Sequence, residues 1–202
     1  MFKLIKIIFN ACILVLAFIG FNAIGGQKYV ELAKGHIKTF IESRVSENAK
    51  NFGDFSKLHE EFEIDNTFSI LGYNAVLAEH TSSGQKMCIV HTKNKPLLNS
   101  DDIQSKDLEQ KLQKLADKFK YQAVSFHEIK VLSRGTIDVY GQNVPYAKFE
   151  AKANKLPFSD LVGIVASVKT SDDKAKLLIA INEKKKYSQL ITEEFYKNIS
   201  EK

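Results

Sequence analysis

The chain contains no tryptophan, two cysteines, three prolines and, among its 29 basic residues, only two arginines, Arg44 and Arg134. Each scarcity excludes something. Cys12 sits in an apolar N-terminal run and Cys88 in a strand-like stretch, so no disulfide framework of the kind that braces small secreted domains is available. Cys88, in Lys86-Met87-Cys88-Ile89-Val90, reads as a small buried hydrophobe. Arginine supplies the planar fork that suits phosphate, and it is nearly missing. The lysines are dispersed and alternate with acids, as in Glu183-Lys184-Lys185-Lys186, rather than clustered with aromatics. That pattern excludes a dedicated nucleic-acid binder. The net charge of +5 includes Lys3 and Lys6, which leaves a mild +3 for residues 27–202. The functional reading open to so mild a surplus is attraction to anionic lipid head groups.

Catalytic signatures are also missing. The chain has no G-x-S-x-G, no phosphate-cradling Gly-rich loop before a helix and no C-x-x-C. His59-Glu60-Glu61-Phe62-Glu63 begins like H-E-x-x-H, but Glu63 stands where the second histidine must be. The other histidines, His36, His80, His91 and His127, are scattered, whereas a zinc site needs three or four converging ligands. Cys88 and His91 are three apart in a strand and point to opposite faces. Glu60-Glu61 and Glu193-Glu194 are adjacent pairs on expected helices, where neighbours diverge rather than share a site. Ser159-Asp160 reads as a turn or cap. Asn198-Ile199-Ser200 matches a glycosylation sequon, a three-residue motif that chance supplies often. No catalytic residue, cofactor or metal is therefore assigned, and the pattern leans against an enzyme.

What is there starts at the N-terminus. After Lys3 and Lys6, the 21 positions from Ile7 to Gln27 carry no charge. Ile7, Ile8, Phe9, Ile13, Leu14, Val15, Leu16, Phe18, Ile19 and Phe21 form its apolar body. A helix rising about 1.5 Å per residue spans roughly 30 Å over 7–26, the thickness of a bilayer core. The lysines before it keep the N-terminus inside by the positive-inside rule. The same stretch also parses as a signal peptide, with an h-region at Ala11–Phe21 and a cleavage site at Ala23-Ile24-Gly25. Both readings send the rest of the chain out of the cytoplasm, to the cell envelope. The first retains it as a single-pass anchor, and the second releases it after Gly25.

The chain then divides into a helical stalk, 27–66, and an α+β domain, 67–202. Val30, Ala33, Ile37, Phe40 and Ile41 lie on one face of an amphipathic helix over 29–43. Phe52, Phe55, Leu58 and Phe62 predict a second short helix within 47–65, weakened by Gly53. Tyr73–Thr81 and Lys86–His91 flank a Ser-Gly turn and predict a hairpin. Ser100-Asp101-Asp102 then caps a helix carrying Leu108, Leu112, Leu115 and Phe119. Strands follow at 124–132, 136–140, 144–153, 161–170 and 176–182, separated by short breakers. In 144–153, Ala147, Phe149, Ala151 and Ala153 share a buried face, while Tyr146, Lys148, Glu150 and Lys152 predict a wet one. The continuously apolar runs at 161–168 and 177–181 predict central strands. A last helix over 188–199 buries Ile191, Phe195 and Ile199.

These elements predict a twisted antiparallel sheet of five to seven strands with helices packed on it. Lys176-Leu177-Leu178-Ile179-Ala180-Ile181 followed by the Phe195 helix, within the element order of 67–200, resembles the PsbP-like α-β-α sandwich domains of exported proteins. The resemblance lies in element order, so no functional residue carries over. Tyr121, Tyr140, Tyr146 and Tyr187 fall near strand ends or the polar face and form a candidate ligand surface. The expected partners are thus the membrane, through the N-terminal segment, and a protein or small ligand at the domain. The alternatives are an envelope enzyme or assembly factor with a dispersed site, or a lipid or metabolite carrier set loose by cleavage. Mass spectrometry of the mature protein tests the placement. An intact chain in the membrane fraction supports the anchor, a chain beginning at Gly26 supports cleavage, and recovery in the cytosol rejects export.

Overall fold

Seven apolar or alternating runs form strands: β1 (Phe62–Ile70), β2 (Tyr73–His80), β3 (Gln85–Thr92), β4 (Phe126–Val139), β5 (Gln142–Ala153), β6 (Asp160–Lys169) and β7 (Ala175–Glu183). In the computed structural model, which describes residues 45–70, 73–92, 96–118, 126–154, 160–171 and 174–201, they make one sheet. Its order is β1-β2-β3-β7-β6-β5-β4, with every neighbouring pair antiparallel. The described helices are α1 (Ser100–Gln104), α2 (Leu108–Lys118) and α3 (Gln189–Lys197), with a helical stretch at 45–49. This is the expected α+β architecture. The apolar residues read as an anchor, the helix expected over 29–43 and Tyr121 lie outside the described residues. Among the described residues no helix is long and apolar enough to cross a membrane.

The sheet consists of two meanders, β1-β2-β3 and β4-β5-β6-β7. They join where β3 pairs with β7, from Lys86 opposite Ile181 to His91 opposite Lys176. β7 is therefore the middle strand, and β6 beside it is buried from Leu161 to Val168. Strands buried on both faces read as continuous apolar runs rather than alternating ones. One face packs Phe195, Tyr196 and Ile199 over Val76, Met87, Ile164 and Leu178. The other packs Leu98, Ile103 and Leu108 over Leu77, Val90, Leu161 and Val165. The α1–α2 connection crosses that second face, from β3 to the far edge strand β4.

Several local expectations change. The helix expected within 47–65 is helical only at 45–49, then runs through turns, and β1 starts at Phe62. Gly53, at φ +151, breaks the helix; a Cβ there would lie 2.8 Å from Ile199 and from the Ser200 carbonyl. Phe52, Phe55, Leu58 and Phe62 nonetheless join one core, so their shared side was real although the helix was not. Residues from Val45 onward thus pack with the sheet, within the segment read as stalk. The two strands expected at 124–132 and 136–140 are one, β4, which pairs with β5 straight through Arg134, Gly135 and Thr136; the Tyr146 ring takes the space a Cβ on Gly135 would need. The single helix expected after Ser100 is two. Asn99 caps α1 in a reciprocal box with Asp102, and Ser105 leaves the helix with extended backbone, its hydroxyl donating to the Asp102 carbonyl. The face expected to be wet is only partly so: Val144 and Tyr146 are buried under α3, while Lys152 stays exposed.

Both edge strands carry bulges, at Ile64/Asn66 in β1 and at His127/Lys130 and Val131/Ser133 in β4. Bulges and charges such as Glu63, Lys130 and Arg134 blunt an edge against pairing with other strands. Among the described glycines the closest approach is at Gly163 in β6. A Cβ there would stand 2.4 Å from the Ala180 carbonyl oxygen and 3.0 Å from the Phe149 ring. Gly163→Ala is therefore expected to destabilise the fold by about 1–3 kcal/mol, as for other overpacked sites. A urea midpoint equal to wild type would show that the β6–β7 backbone yields.

Candidate functional site

The two faces of the sheet are filled differently. Under α3 the fit is close. Gln85 is fully buried, its amide nitrogen donating to the Ser188 carbonyl at 2.9 Å and to Thr192 Oγ1 at 2.7 Å, its oxygen accepting from the Ser188 N–H at 2.8 Å. The Tyr196 hydroxyl, also buried, lies 2.8 Å from the Ile179 carbonyl and 3.1 Å from that of Cys88, two residues paired across β3 and β7. Burial raises the pKa of this phenol well above the usual range.

Three of the four tyrosines proposed as a ligand surface belong to that filled side. Tyr140 and Tyr146 are buried, and Tyr187 is half-buried against the same core. The Tyr146 oxygen accepts from the Gln189 amide at 2.8 Å, and that of Tyr187 accepts from Thr192 Oγ1 at 3.3 Å. Tyr140 donates to the Phe52 carbonyl, which also accepts from Lys176 Nζ at 3.0 Å, and the ammonium stands 4.4 Å from the Tyr140 ring centre. Burial raises the Tyr140 pKa well above normal and that of Tyr187 to about 12. Tyr140 lies with Lys176 and Phe52, while Tyr146 and Tyr187 flank α3.

The opposite face has room to spare. Between α2 and the sheet lies an apolar crevice of about 150 Å³. Its floor comes from both meanders: Cys88 and Val90 of β3, Leu177, Ile179 and Ile181 of β7, Val165 of β6, and Phe149 and Ala151 of β5. Leu112, Leu115 and Ala116 of α2 form its roof, Phe126 and Ile129 of β4 one wall, and Leu97 and Leu98 the approach to α1. The space follows from small residues. β5 presents Ala147, Ala151 and Ala153 to this face, and Leu112 and Leu115 remain half-buried. An apolar cavity of about 150 Å³ is large enough to take benzene. Left empty and dry, such a volume costs roughly 3–4 kcal/mol of lost packing.

Among the described residues one charged side chain borders this space. Lys86 of β3 contributes to the crevice wall, and its ammonium meets Asp65 Oδ2 at 3.3 Å and Glu79 Oε2 in a shorter contact. Glu79 is the β2 residue directly opposite Lys86, and Asp65 is the extra residue of the β1 bulge. All three side chains are largely buried. Loss of hydration lifts the Asp65 carboxyl to about 6, against the lowering pull of Lys86, with Glu79 and then Glu63 adding to the rise.

A second polar group closes the β2–β3 turn. His80 Nδ1 is 2.9 Å from Ser83 Oγ and its Nε2 is 3.6 Å from Glu61, while Ser83 Oγ accepts from the Gln85 N–H at 3.2 Å. The order Ser-His-Glu is that of a nucleophile relay, but here the serine oxygen is tied into its own turn. Among the described residues no group of three His, Cys, Asp or Glu is arranged to hold a metal ion. Cys88 is buried, as expected. Asn198 of the sequon caps α3, its amide donating to the Glu194 carbonyl at 2.9 Å, and Ile199 beside it is buried. No family model matches the chain, and comparison with curated proteins finds none similar to it.

Asp65 makes a pH-dependent contribution of known sign. Its carboxyl binds a proton more tightly in the folded chain than in the unfolded one, where it titrates near 3.8. The stability it contributes is therefore complete below about 3.8 and lost as pH rises through about 6. Relative to Asp65→Asn, the wild type should gain stability as pH falls across that window. Parallel urea titrations at several pH values check this, and a constant difference would refute it.

Proposed function

We propose that this chain is an exported cell-envelope protein whose non-enzymatic α+β domain is held at the membrane by its uncharged N-terminal segment. The crevice under α2 is where that domain takes a small apolar ligand, or the apolar end of a larger one. The uncharged run from Ile7 to Gln27 supports the placement. The single observation that carries the binding role is an apolar space of about 150 Å³ kept open over the central strands. A purely structural core would fill it, because each unfilled volume weakens packing. The volume suits one ring or a short hydrocarbon chain, since pockets for larger ligands run from about 300 Å³ upward.

Cleavage after Gly25 instead of retention would make the same domain a mobile carrier, with the crevice unchanged. We also propose a likeness to the PsbP-like sandwiches, supported by helices packed on both faces of one antiparallel sheet.

The binding role is tested with the mature chain, in zwitterionic lipid nanodiscs if it keeps its anchor, by ¹⁹F NMR of added fluorobenzene. Broadening beyond that of empty discs is the expected result. Ala151→Leu, which fills the crevice floor, should abolish the effect while leaving thermal stability equal or higher. Binding that survives this substitution would remove the crevice from the function.

A further inference from the structure

Among the described residues the crevice offers a ligand almost nothing polar. Its exposed surface is nearly all apolar, and Lys86 adds its aliphatic stem, since its ammonium turns to Asp65 and Glu79. A hydroxyl or amide carried into such a space leaves its water and gains no partner. That weakens binding by roughly tenfold or more.

The floor is open at its centre. In β7, Leu177, Leu178, Ala180 and Ile181 are buried, while Ile179 among them is only half-buried. β7 is the middle strand, so the opening reaches the middle of the sheet rather than its rim. Leu177, Ile179 and Ile181 alternate along the crevice side of β7. From first to last they cover roughly 13 Å, at about 3.3 Å per residue. A space of about 150 Å³ over a floor of that length is a shallow slot. Its volume holds about the six carbons of benzene, and its length suits them end to end in a chain.

We propose that the slot takes the methyl end of one hydrocarbon chain, to a depth of about six carbons, and leaves the polar head of that molecule in water. The inference rests on the binding role proposed above and fixes the class of ligand: a short single-chain amphiphile, recognised by its tail and not by its head. A bilayer lipid fits poorly, because a few buried carbons would replace the cover that its two long chains already have in the membrane. Ala116 of α2 and Ala151 of β5 keep the slot open from above and below, so the length of chain accepted depends on those two small side chains.

The test is displacement of bound fluorobenzene, followed by ¹⁹F NMR and read against the free aqueous concentration of each probe. The mature chain is used, in zwitterionic discs if it keeps its anchor. 1,2-Hexanediol and 1,6-hexanediol have the same atoms, but only the first has a methyl end. The first should displace fluorobenzene at concentrations about tenfold lower than the second. Hexyl glucoside, with its bulky head, should act within about threefold of hexanol, because the same apolar area is buried. From butanol to hexanol each added carbon should lower the concentration needed about fourfold, and from hexanol to octanol less than about twofold, because the slot is then full. Ala116→Val should bring that break to shorter chains. Equal action by the two diols would overturn the inference while leaving the binding role intact. So would a hexyl glucoside that fails to compete, a chain series without a break, or a break that Ala116→Val leaves in place. Failure of fluorobenzene itself to bind would overturn both.

Discussion

The pairing of β3 with β7 is the contact on which the rest of the molecule depends. It joins two meanders distant in sequence, through strands that are buried over most of their paired length. Closing so large a loop costs entropy before any non-local contact is gained. The residues that meet repay it with apolar area on both faces, with Met87, Ile89, Leu178 and Ala180 on one side and Cys88, Val90, Leu177 and Ile179 on the other. Once the two strands meet, the connection from β3 to β4 must cross a whole sheet face. The crevice is the gap beneath that crossing, and its floor exists only while both meanders are in register.

The two faces solve the packing problem in opposite ways. On one, Phe195 and Tyr196 supply large rings, and Gln85 ties α3 down through its first turn and N-cap. On the other, alanines on β5 and Ala116 on α2 leave the helix standing off the sheet. The faces are not independent. The Tyr196 hydroxyl grips the backbone of Cys88 and Ile179 from behind, and those same residues present their side chains to the crevice. The filled side therefore fixes the floor of the open one.

Much of the fold was legible because its strongest signals are local. The Ser-Gly hairpin, the continuously apolar β6 and β7, and the final helix carrying Ile191 and Phe195 each follow from short-range periodicity. β1 escaped because Phe62-Glu63-Ile64-Asp65 is as polar as it is apolar, and because the preceding phenylalanines mimic helical spacing. Arg134-Gly135 reads locally as a breaker, but Gly135 pairs with Tyr146 in the middle of β4, a pairing visible only once β5 lies beside it. The candidate site was less legible still. The rings and hydroxyls of tyrosine suit a binding surface, and the fold packs Tyr140, Tyr146 and Tyr187 against one core. The crevice instead arises from what is small, Ala151, Ala116 and Cys88, and from strands that meet only in three dimensions. The run of alternate alanines in β5 was its one trace in the sequence.

The grip on Phe52 has a mechanical side. Its carbonyl is held by Lys176 and Tyr140, and the next backbone bonds tie Asp54 to Ser200. Lys176 is part of β7, the middle strand. Tension arriving from upstream of Val45 is thus delivered to the centre of the sheet and to the C-terminal end of the chain together. An edge strand peels one bond at a time, whereas a central strand resists as a block. A domain loaded in this way keeps its shape under a pull that would unzip one fastened by its rim.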